Sequence, residues 1–101
     1  MSIDIFESLR HRINMLEVAT DEIEYDLSLI RYFDIEMLLE ELKSKIKTIR
    51  YRIIEIEYKI DFAEAAQEYL DEDLKKEIET IEEEIKALEK CIEDIKDNYK
   101  W

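Results

Sequence analysis

The chain has 101 residues, 43% of them charged and 47% apolar, with a net charge of −13 and neither glycine nor proline. That composition is too apolar for disorder, and it excludes glycine-rich phosphate loops, glycine-dependent tight hairpins and glycine helix caps. The length suits one domain, large enough to bury a core of its own. Isoleucine (17) outnumbers leucine (10), amides are limited to two Asn and one Gln, and Glu and Lys are abundant. This is the bias of thermophile proteins.

The first residues, MSIDIFE, carry two acids and no basic stretch, so they do not read as a secretory signal. No apolar run approaches the roughly 18 residues of a membrane span. A single cysteine, Cys91, has no internal partner for a disulfide. These features predict a cytoplasmic protein with no membrane contact.

The first predicted helix covers about 3–32. Its apolar seam reads Phe6, Leu9, Ile13, Leu16, Thr20, Ile23, Leu27, Ile30, in alternating steps of three and four. The phase then slips near Phe33-Asp34. Asp34 is placed to cap a helix starting at Ile35, with Phe33 and Leu38 as a hydrophobic staple. An alternative break at Thr20-Asp21-Glu22 would give a short first helix and one very long central helix. The seam passes through Thr20 without a change of phase, which favours the break near 33.

The second predicted helix covers about 35–70, on the seam Leu42, Ile46, Ile49, Ile53, Ile56, Ile60, Ala63, Gln67, Leu70. The third covers about 73–99, after a slip at "DED" (71–73), on Leu74, Ile78, Ile81, Ile85, Leu88, Ile92, Ile95, Tyr99. Acids at a helix start oppose the positive end of its dipole. The fold predicted is all-α: three long antiparallel helices in a coiled-coil-like bundle, completed by self-association.

The window KSKIKTIRYR, residues 43–52, holds five of the 15 basic residues and no acid. Lys43, Lys45, Arg50 and Arg52 flank the second seam. An antiparallel neighbour would present Glu17, Asp21, Glu22 and Glu24 from the first helix, and Glu93, Asp94 and Asp97 from the third. The window therefore predicts an internal charge belt that sets partner and orientation, rather than a site for an external anion.

Behind the seams lies a second set of apolar residues. The first helix carries Met15, Val18, Tyr25, Leu29 and Tyr32, and the second carries Tyr51, Ile54, Tyr58, Phe62, Ala65 and Tyr69. A helix apolar on two opposite sides needs cover on both. Tyrosine suits a contact surface, because its ring buries area while its hydroxyl stays hydrated. Val18, Tyr25, Leu29, Tyr32, Tyr51, Ile54, Tyr58, Phe62 and Tyr69 are thus the predicted interface, with a dimer favoured.

Catalytic and metal-binding patterns are weak. The only histidine, His11, has Glu7 one turn before it, the wrong spacing for a helical di-metal site. Carboxylates at Glu36/Glu40 and Glu79/Glu82/Glu83 are spaced for Mg²⁺, but 28 acids on helices produce such pairs by chance. No cofactor or metal is expected, and no enzyme activity. Charge by segment is −4 for 1–33, −3 for 34–70 and −6 for 71–101, so direct contact with nucleic acid is disfavoured and a basic protein partner is favoured. Two functions fit: a non-enzymatic interaction or scaffold protein, or an acidic mimic of nucleic acid that inhibits a DNA- or RNA-binding enzyme of the anti-restriction or anti-CRISPR type.

Overall fold

The computed structural model describes residues 5–30, 35–66 and 72–98. They form three helices: α1 (Ile5–Leu29), α2 (Glu36–Ala65) and α3 (Glu72–Asn98). The molecule is a rod of 51 × 25 × 18 Å. No described helix is long and apolar enough to cross a membrane.

The seams do what their spacing requires. A three-four alternation keeps one stripe of each helix facing its neighbours. Every seam residue from Leu9 to Ile30, from Leu39 to Ala63 and from Leu74 to Ile95 is buried, and together the apolar ones form one core. Phe6 packs against its end, half-buried. The ion pairs between helices set the register, so that one residue from each seam shares a level. Ile13, Leu16, Ile53, Ile56, Ile78 and Ile81 all belong to this core. Burying each of these side chains stabilises the fold by roughly 1.5–3 kcal/mol.

α1 runs through Thr20 without interruption, so the break near 33 is the right one of the two. Thr20 is fully buried in the α1 seam, and its hydroxyl donates to the carbonyl of Glu17 at 2.8 Å. That local bond is what allows a polar group into an isoleucine layer.

Helix ends differ from expectation in one respect. α2 starts at Glu36, and Ile35, the residue before it, makes no capping bond. Ile35 is buried instead and closes the end of the core. The expected cap at Asp34, the staple residue Phe33, and seam residues Gln67, Leu70 and Tyr99 lie outside the described residues. α3 opens with Glu72 and Asp73 in its first turn, as the dipole favours.

α1 packs closely along both other helices, whereas α2 and α3 approach each other at few points. α1 and α3 run parallel and α2 runs against both.

Candidate interaction surface

The basic window resolves into two kinds of pair. Arg50 donates to both Asp21 and Glu24 of α1, and Arg52 donates to Glu84 of α3. These two residues belong to the predicted belt. Lys43 and Lys45 do not bridge helices. They pair with Glu40 and Glu41 of their own helix, each at 3.9 Å. On a helix, acids three or four residues away are nearer than any neighbour's.

Arg52 also meets α3 at a different level from the one expected. Its partner is Glu84 rather than Asp94 or Asp97. α2 ends at Ala65, five residues before the sequence suggested, and α3 begins at Glu72. The midpoint of the connection therefore falls nearer 68 than 71, which shifts each partner in α3 towards lower numbers. Lys59 with Glu77 at 3.5 Å follows the same register.

The belt extends beyond the basic window. Arg10 of α1 donates to Asp61 at 2.6 Å and Glu64 at 3.0 Å on α2. Arg12 grips Glu82 of α3 through two bonds, at 2.5 and 3.2 Å. Lys96 of α3 meets Asp26 of α1 at 3.2 Å. Each guanidinium is held above its ordinary pKa by its carboxylate partners: Asp61 first for Arg10, Glu82 for Arg12, and Asp21 then Glu24 for Arg50. Exposed pairs of this kind contribute about 0–1 kcal/mol each, so their main effect is register. Their existence was legible in the flanking positions of each seam, but Arg10 and Arg12 were not singled out, because no local cluster of like charge marks them.

The second apolar set is exposed. Tyr51 and Tyr58 keep 61% and 70% of their surface in water, Phe62 70% and Tyr25 64%. Val18, Leu29, Ile54 and Met15 are also exposed. Tyr32 and Tyr69 lie outside the described residues. Met37, at 88%, extends the row on α2 and was missed because it precedes the first tyrosine by two heptads. Val18 and Tyr25 occupy the position opposite the α1 seam, as do Met37, Ser44, Tyr51, Tyr58 and Ala65 on α2. The two rows therefore face different directions, with the Arg10 and Arg50 clusters between them.

α3 has no such row. Opposite its seam stand Lys76, Glu83, Lys90 and Asp97, alternating in sign. Carboxylates in an unbroken line, the arrangement a nucleic-acid mimic uses, are not what this outermost row offers.

The wide spacing of α2 and α3 leaves an open groove of about 470 Å³ between them. Leu42, Ile49 and Leu88 form its floor, and Ser44, Thr48, Ala87 and Cys91 its walls. Cys91 is half-buried there, a packing role for a small apolar side chain. On the opposite side, Glu57 keeps one carboxylate oxygen buried and without a hydrogen-bond partner, in a recess beside Arg10 and Asn14. Among the described residues, no cluster of three or more His, Cys, Asp or Glu side chains is arranged to hold a metal.

Compared with known proteins, the chain matches no family model, no curated protein and no solved structure.

Proposed function

We propose that the protein is a non-enzymatic helical interaction or scaffold protein that self-associates through the aromatic outer surface of α1 and α2. The observation that carries this is the contrast in burial. The seams are satisfied within one chain, yet Val18, Tyr25, Leu29, Tyr51, Ile54, Tyr58 and Phe62 remain exposed. Exposed aromatic rows on two helices exceed what a solvated surface needs, and they match the chemistry of protein contacts. The charge-rich outer face of α3 then serves solubility and points away from the contact. A dimer placed in the cytoplasm of a thermophile fits the composition.

Light scattering tests the proposal. The wild type is expected to exceed the 12.3 kDa of one chain. Replacing Tyr51 and Tyr58 with Glu is expected to return the mass to that of one chain with helical circular dichroism unchanged, because acids would be buried unpaired only at the contact. A wild type that stays at one chain's mass at high concentration overturns the proposal.

A further inference from the structure

Two copies of a chain carrying −13 repel each other unless they meet through a face that is locally neutral. The outer face of α2 is such a face. Glu40 and Glu41 are paired with Lys43 and Lys45, and Asp61 is held by Arg10. Between residues 44 and 62 of that face the remaining charges are Lys47 and Glu55, one of each sign. Neither takes part in an ion pair among the described residues. α1 offers nothing equivalent. Tyr25 sits among Asp21, Glu22 and Asp26. Arg50 and Lys96 answer two of these acids, and Glu22 has no ion-pair partner among the described residues.

The same face is symmetric in size. Opposite the α2 seam the row reads Met37, Ser44, Tyr51, Tyr58, Ala65. About Tyr51 it sets a small and a large residue at equal distances on opposite sides: Ser44 and Tyr58 seven positions away, Ala65 and Met37 fourteen. Lys47 and Glu55 are also equidistant from Tyr51, four residues before and after it. A two-fold axis relates a patch to itself, so an isologous contact needs this kind of self-complementarity.

We infer that the homotypic contact is α2 against α2 of a second copy, antiparallel, with the two-fold axis at Tyr51. Tyr51 meets its own copy on the axis. Tyr58 covers Ser44 of the other chain about 10 Å away along the helix, and Met37 covers Ala65. Lys47 and Glu55 of opposite chains fall at one level on the two flanks of the tyrosine row, within reach of each other's long side chains. Ile54 lies along the stem of Lys47. The row on α1, with Val18 and Tyr25, stays outside this contact. The inference rests on the self-association proposed above and narrows its surface from the rows of both helices to that of α2 alone.

Two experiments on the full chain separate the inference from the proposal beneath it. In a Cys91→Ser background, Tyr51→Cys places one thiol on the axis, where it meets its own copy. Mild oxidation is expected to give a disulfide-linked dimer, while Tyr25→Cys in the same background stays unlinked. Linking at 25 rather than 51, or at neither in a protein that still runs as a dimer, overturns the α2 axis and leaves self-association standing. The second experiment reverses charge. Lys47→Glu and Glu55→Lys are each expected to weaken the dimer roughly tenfold, and the double reversal to restore it. Single reversals without effect, or a double variant as weak as the singles, overturn the pairing and hence the axis. A wild type that is monomeric throughout removes both the inference and the proposal.

Discussion

α2 and α3 perform the same internal task with the same kind of seam, and they differ on the far side. Ile53 and Ile81 are both buried in the shared core. Outward, α2 shows Tyr51 and Tyr58, while α3 shows Lys76, Glu83, Lys90 and Asp97. Neither outer row contributes to the core. The seams therefore carry the core, and the outer rows are free to differ. One helix shows aromatic and aliphatic side chains there and the other alternating charges.

The comparison breaks most sharply within α3. Ile81→Ala, at a fully buried site, is expected to destabilise the chain by about 2–5 kcal/mol, whereas Lys90→Ala is expected to stay within about 0.5 kcal/mol. Urea unfolding of both variants checks this. If the two losses are similar, seam and outer row are not distinct. The next effect concerns α2. A contact that only the folded chain makes adds stability by mass action, so the wild-type melting temperature should rise with protein concentration and that of the Tyr51→Glu/Tyr58→Glu variant should not. A smaller effect separates the belt from the local pairs. Arg50→Glu sets like charges beside Asp21 and Glu24 and is expected to cost about 1 kcal/mol, less at high salt. Lys43→Glu and Lys45→Glu, which cross to no other helix, are expected to cost under about 0.5 kcal/mol each. At Thr20 even the direction of the change is open to the balance of two small effects. Thr20→Val exchanges one local hydroxyl bond for an apolar surface in an isoleucine layer, and denaturant unfolding should move by no more than about 1 kcal/mol in either direction.

Much of this was legible in the sequence because burial follows period. The predicted seam residues from Leu9 to Ile30, Leu42 to Ala63 and Leu74 to Ile95 are buried, and the exposed status of Tyr51 and Tyr58 follows from lying opposite them. The end of α2 was harder. Gln67 and Leu70 continue the apolar alternation, and with no glycine or proline nothing local marks a stop after Ala65. That small error propagated into the charge belt, since an antiparallel partner moves with the position of the turn. Lys43 and Lys45 were assigned across helices because the seam places them on its flanks, yet Glu40 and Glu41 stand one turn away. The groove between α2 and α3 has no signature in the heptad pattern, which says which residues face inwards but not how far apart two helices settle. Choosing α2 over α1 as a homotypic face required the pairs themselves, because a carboxylate's effective charge depends on whether an arginine holds it.

The unequal spacing of the helices also bears on the order of assembly. α1 is the neighbour that both others hold closely, while α2 and α3, joined in sequence, touch least. The α1–α2 ion pairs join residues 26 to 54 positions apart. α3 must return to partners 70 residues upstream, so its docking carries the larger loop-closure entropy. α3 is therefore the latch of the structure. It is expected to close last and open first, uncovering seam residues on α1 as well as its own. Amide exchange under native conditions should register this as faster opening along α3 than at the centre of α1.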